Sequence, residues 1–217
     1  MPPEDCSFGR DNDPNIGRDK LGNDGDGHDG FSFLKVGSSG EPMPAVATTP
    51  HACVKDNVTG LMWEVKTTDG GLHDAGHTYT WYNTNINENG GLPGTPNGGA
   101  CSLNESCDTQ GYVTAVNAVG LCGYQDWRMP TPFELRSLVS MPENRETNVN
   151  GLTVYSSAAI DTNFFPNTVP DHFWAATPRA NSDTDRAYTV TFGSGGLLSR
   201  ITATGQNIRL VRGESAQ

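Results

Sequence analysis

The sequence predicts an α+β fold in which an antiparallel sheet packs against two short helices, with long loops between the elements. Three observations lead there. Turn-bounded alternating segments and two helix-start signals occur in the order hairpin, helix, helix, strands. The 26 glycines and 14 prolines among 217 residues leave room only for short regular elements. A hydrophobic share of 35% suffices for one ordinary core and argues against a bundle of long helices.

Residues 1–30 are polar, with Asp, Asn and Gly interleaved, and read as a solvated arm. Phe31–Val36 alternates weakly and is a strand candidate, whereas Gly37–Pro50 has a linker composition. The expected division is therefore an N-terminal arm and linker over 1–50, a binding domain over 51–213 and a tail over 214–217. Cys53–Asp56, a turn at Asn57–Gly60 and Leu61–Lys66 form a hairpin pattern with Leu61, Trp63 and Val65 on one face. Thr78–Tyr82 is rich in β-favouring residues, and Asn83–Ala100 is a long Asn/Gly/Pro excursion of the kind that binds or covers something.

Asp108 or Thr109 caps a helix that carries Tyr112, Val113, Val116 and Val119 on one stripe and stops at Gly120. The second helix, Pro132–Val139, starts at a capping box of Thr131 and Glu134 with Pro132 in its first position. Before it, Cys122–Met129 gathers a cysteine, Tyr124, Trp127 and an Asp126/Arg128 pair, as a buried, cross-linked crossing would. A polar region runs to about Asn150. Strands at His172–Ala176, Ala187–Phe192 and Asn207–Arg212 follow, with Gly193–Gly196 turning the second.

Net charge is −11 and the sequence pI near 4.7, which excludes a phosphate-seeking nucleic-acid binder. The imbalance is uneven. Residues 1–30 hold eight acids against three bases, while residues 172–213 hold five arginines against two aspartates, so an anionic ligand belongs to the C-terminal half. Five cysteines favour an oxidising compartment. One must be left over, and the three pairings of any remaining four are not distinguished by sequence. The arrangement taken forward is a local clasp of Cys101 with Cys107 and a long-range staple of Cys53 with Cys122, leaving Cys6 free or paired in trans. No apolar run approaches the roughly 20 residues that span a bilayer. Met1-Pro2-Pro3-Glu4 does not begin a signal peptide, so export is expected to rest on a signal removed or lying upstream.

Several phrases resemble the C-terminal domain family of the Legionella collagen-like protein, formerly a domain of unknown function. They are C-V-K-D-N-V-T-G-L-M-W-E-V-K (Cys53–Lys66), T-Y-T-W-Y-N (Thr78–Asn83), A-V-N-A-V-G-L-C-G-Y-Q-D-W-R-M-P-T-P-F-E-L (Ala115–Leu135), F-F-P-N (Phe164–Asn167), H-F-W-A-A-T-P (His172–Pro178) and I-R-L-V-R-G (Ile208–Gly213). G-D-G-H-D-G-F-S-F at Gly25–Phe33 extends the likeness more faintly. The resemblance implies a C-type-lectin-like fold, bacterial export to the surface and a binding role in attachment. In the namesake it implies recognition of sulfated glycosaminoglycans by a trimer. The collagen-like Gly-X-Y repeat of the namesake is absent from this chain.

The sites expected on chemical grounds follow. Aromatic faces stack on sugar rings and arginine forks match sulfate or carboxylate, which singles out Trp81, Tyr82, Arg179, Arg186, Tyr188 and Arg200 for ligand contact, provided the late strands and their loops share one face. Trp81 and Trp174 have a core reading as well. Asp11, Asp13, Asn15, Asp24, Asp26 and Asp29 offer oxygens suited to calcium, but D-G-D-G-H-D-G lacks the glycine and glutamate that complete an EF-hand. Any calcium there is expected to order the arm and take no part in chemistry. Asp69, His73, Asp74 and His77 read as a surface loop. No G-x-S-x-G elbow occurs.

The resulting expectation is an exported surface binding module without catalysis or a required cofactor. It would recognise a glycan or a protein through its C-terminal loops, with homo-oligomers open. Three alternatives stand beside it: a subunit of a surface filament joined through the acidic arm and Cys6, a formylglycine-generating type of oxidase using Cys101 and Cys107, and a receptor-binding protein with diversified positions.

Overall fold

A computed structural model describes residues 31–44, 47, 49–103, 105–140, 146–150, 152–179 and 185–213. The acidic arm, with Cys6 and the six oxygen-ligand candidates Asp11, Asp13, Asn15, Asp24, Asp26 and Asp29, lies outside the described residues, as does the tail over 214–217.

A five-stranded antiparallel sheet has the order β10-β4-β3-β1-β2, with β1 at Phe33–Val36, β2 at Pro42–Met43, β3 at Cys53–Asp56, β4 at Met62–Glu64 and β10 at Val211–Arg212. The β3–β4 hairpin turns where the side chain of Asp56 accepts the Val58 amide at 2.8 Å, and Gly60 at φ +77° closes the turn onto the Asp56 carbonyl. β1 pairs with β3 in full register and buries Phe33, while neighbouring Phe31 stacks on it at 4.8 Å. Strand β1 thus joins the sheet from within the stretch that composition assigns to the arm and linker, because a Gly/Pro-rich connection between two paired strands has the composition of a linker.

Helix α1, Thr109–Val119, is capped by Asp108, whose carboxylate accepts the Gly111 amide, and stops at Gly120 in the left-handed region. Its Asn117 clamps the following crossing by exchanging two hydrogen bonds of 2.8 Å with the Trp127 backbone. Trp127 is buried and donates its indole N–H to the Leu121 carbonyl. Asp126 and Arg128 each reach a further charged partner. Arg128 forks onto Glu134, which also closes the Thr131 capping box, and Asp126 holds Arg212, whose guanidinium lies on the Tyr124 ring.

Helix α2 is confined to Pro132–Arg136, shorter than expected, and packs on a second antiparallel sheet of β7 (His172–Pro178), β8 (Arg186–Thr191) and β9 (Leu197–Ile201). A separate hairpin joins β5 (Glu146–Val149) to β6 (Leu152–Tyr155). Thr78–Tyr82 forms no strand; its backbone crosses the molecule through single bridges to Gly94, Ala100, Asp108 and Gln206. Both larger sheets separate two buried clusters. Trp63, Phe173, Val190 and Val211 face one with Leu135; Met62, Trp174, Ala187 and Leu210 face the other with Tyr112 and Trp127. The Cys53–Cys122 disulfide lies in the second cluster, and Cys101–Cys107 closes a short loop ahead of α1.

Candidate functional site

The Asn83–Ala100 excursion is ordered by its own asparagines. The Asn83 side chain accepts the Asn85 amide, Asn89 donates to the Asn83 carbonyl and accepts the Gly91 amide, and Thr95 returns to Trp81 at 2.9 Å. Gly94, at φ +82°, lies against the Trp81 carbonyl and leaves no room for a side chain. The clasp holds the far end, because Cys107 donates its amide to Asn97 and Asp108 accepts from the Asn97 amide. Between this loop, the first turns of α1, the start of α2 and the end of β7 lies a groove of about 560 Å³. Val113, Met129, Ala176 and Pro178 supply apolar surface; Tyr82, Asn83, Glu88 and Gln110 supply polar groups.

A second cavity of about 340 Å³ shares no lining residue with the first and contains Arg186, Arg200, His172 and Asp171 beside the turn Thr204–Asn207. Arg200 donates to His172 Nε2, so the imidazole accepts there and carries its proton on Nδ1, 3.3 Å from the Thr189 hydroxyl. Burial first, and the Arg200 charge second, hold His172 below its ordinary pKa. Arg179 reaches the Ser199 hydroxyl at 3.1 Å, and Arg186 the Ser199 carbonyl at 3.1 Å. Two guanidinium groups, Arg186 on β8 and Arg200 on β9, thus line the cavity with one carboxylate, Asp171, and Arg179 joins them from the end of β7 through Ser199.

The residues expected to form one contact face are divided. Arg179, Arg186 and Arg200 converge; Tyr82 belongs to the groove, and Tyr188 lies half-buried on β8. Trp81 is 1% exposed and donates its indole N–H to Ala175, so it supports the groove from beneath and is no free stacking face. Trp174 is buried likewise, donating to Tyr79. Both follow the core reading, since alternation does not tell an inward aromatic from a rim one.

Sequence reasoning missed a buried ionic network. Glu64 Oε1 accepts from Lys66 at 3.0 Å, from His73 at 2.9 Å and from the Tyr112 hydroxyl, while Oε2 accepts the Leu210 amide. Burial alone would raise the Glu64 pKa, but Lys66 and the hydrogen bonds from His73 and Tyr112 outweigh it and bring it to about 2. Burial lowers Lys66 even beside Glu64, and raises Tyr112 well above its usual range. Arg209, fully buried, is held down at about 10; it reaches Thr168 and stacks on Phe165 at 4.7 Å. None of these groups lines either cavity. The network ties β4 to α1 and to the chain before β10. The signals were W-E-V-K, two charged residues on one strand face that reads as solvated until α1 covers it, and His73, which was read with Asp69, Asp74 and His77 as a surface loop but reaches inward to Glu64.

Together these features define a disulfide-stapled α+β domain whose recessed surfaces lie between loops, helix starts and strand residues. The chain belongs to the Lcl C-terminal domain family, which it matches over residues 52–212. Among curated proteins and solved structures, none matches it. No described helix is long and apolar enough to cross a membrane.

Proposed function

We propose that the chain is an exported, non-catalytic recognition module of the bacterial surface, which attaches through an anionic glycan held by the arginine-bearing strands β8 and β9. One observation carries this reading: Arg179, Arg186 and Arg200, dispersed in sequence, come together around Ser199 and His172, and neither Arg179 nor Arg200 has a carboxylate partner among the described residues. Guanidinium forks bind sulfate or carboxylate bidentately and survive partial exposure.

The test is heparin binding by calorimetry at two salt concentrations. Replacing both Arg186 and Arg200 with Ala is expected to weaken binding at least tenfold and to flatten its salt dependence. A glycan array with heparin, chondroitin sulfate and uronate polymers that stays silent overturns the reading. Assembly is a second reading, favoured by edge strand β9, which exposes Leu197, Leu198 and Ile201; a strictly monomeric species in light scattering removes it.

A further inference from the structure

We infer that the groove beside Tyr82 is a second, separate binding site and that its ligand is a neutral saccharide of one or two rings. The site does not rest on the arginine cavity, with which it shares no residue. Its volume of about 560 Å³ lies within the range of roughly 300–1,000 Å³ typical of small-molecule sites. The polar atoms already committed to the fold leave a defined remainder. Thr109 is spent on both backbone groups of Tyr82, Gln110 Oε1 accepts from the amide and hydroxyl of Thr84, and Glu88 Oε2 accepts from Asn83. What remains for a ligand is the Gln110 amide N–H₂, the second Glu88 oxygen, the Tyr82 hydroxyl and the Thr177 hydroxyl.

An amide donor, a carboxylate acceptor and two hydroxyls around apolar surface match a molecule with a C–H face and a hydroxyl periphery, which is a pyranose. Charge excludes the obvious competitors. Arg128, the cation of the lining, is committed to Glu134 and the Gly213 carbonyl, so a nucleotide or other polyanion finds no counter-charge. A peptide laid as an added strand needs unpaired backbone, but the Ala176 amide already donates to Pro130, Arg179 to Arg186 and Thr95 to Trp81.

The experiment is saturation-transfer and chemical-shift NMR on the full chain with lactose, cellobiose, maltose and chitobiose, each at millimolar concentration. At least one is expected to shift the resonances of Tyr82, Gln110 and Val113. Gln110→Ala, an exposed position, should weaken that response at least tenfold, and Tyr82→Phe several-fold, while the Arg186/Arg200 double replacement leaves it intact. Silence across the four sugars overturns the inference, as does a response unaltered by Gln110→Ala in a variant whose spectrum is otherwise native. Because heparin binding reports on the arginines alone, failure at either site is read separately.

Discussion

Removing the two disulfides separately should cost very different amounts, and the difference follows from chain separation. Cys53 and Cys122 are 69 residues apart, Cys101 and Cys107 only 6. In the loop-entropy description the bond's contribution grows with the logarithm of the loop, giving about 4.4 kcal/mol for the staple and about 2.2 kcal/mol for the clasp at 25 °C. Packing acts in the same direction, since Cys53 and Cys122 lie in a core cluster with Trp127 whereas Cys101 is half-exposed. In a domain of this size each kcal/mol moves the midpoint by roughly 2–4 °C. The pair Cys53→Ala/Cys122→Ala is thus expected to melt roughly 9–18 °C lower, and Cys101→Ala/Cys107→Ala roughly 4–9 °C lower. Calorimetry and guanidinium titration of both variants measure this. A clasp variant losing as much as the staple variant would refute the reasoning, since loop length could not then set the order.

Further outcomes follow from single contacts. Helix propensity alone would have Gly111→Ala stabilise α1 by about 1 kcal/mol, but the new methyl would sit 2.5 Å from the Ser106 carbonyl oxygen. Destabilisation of about 1–3 kcal/mol is expected, and a raised melting temperature would contradict it. Glu64 has a folded pKa of about 2, below its unfolded value, so its contribution is complete above about pH 4.5 and fades as pH falls toward 2. The amount is about 3 kcal/mol, seen as an acid loss of stability in urea titrations; a flat profile between pH 5 and 3 would sink the assignment. His172 is depressed, so it stays neutral in the fold while the unfolded chain protonates near its ordinary value; stability is lost as pH falls below about 6.5. An anionic ligand favours the imidazolium, so heparin retention should rise more between pH 7 and 5 for the parent protein than for His172→Ala.

Local chemistry was legible in the sequence wherever a signal spans a few residues. Asp108, Gly120, Thr131 and Glu134 cap α1 and α2 as their spacing implies, and the β3–β4 hairpin turns at its Asn/Gly turn. The disulfides of Cys53 with Cys122 and of Cys101 with Cys107 are the pairs taken forward from the sequence. Strand β9 was hidden because L-L-S-R-I follows a glycine turn and lacks clean alternation, and β5–β6 because E-T-N-V continues the polar stretch before it, although Asn150-Gly151 ahead of L-T-V-Y is itself a hairpin signal. The Asn83–Ala100 loop was legible as a long excursion of the kind that binds or covers something, but its shape was not. Its groove is completed by Gln110 on α1 and by Thr177 and Pro178 on β7, positions that nothing local connects. Glu64 finds Tyr112 48 residues away and Leu210 146 residues away, a meeting that only the folded topology arranges.

The pairing of β10 with β4 sets a timetable for the molecule's birth. Strands made from residues 33–64 wait for Val211 before their sheet is complete, and the Leu210 amide that steadies Glu64 arrives at the same moment. Such distant closure is slow, because the entropy of a long loop is lost before its contacts reward it. A chain ending short of Leu210 would leave Glu64 Oε2 without its amide donor beside an open β4 edge, so the last residues of the domain are the ones that complete the satisfaction of its buried charge.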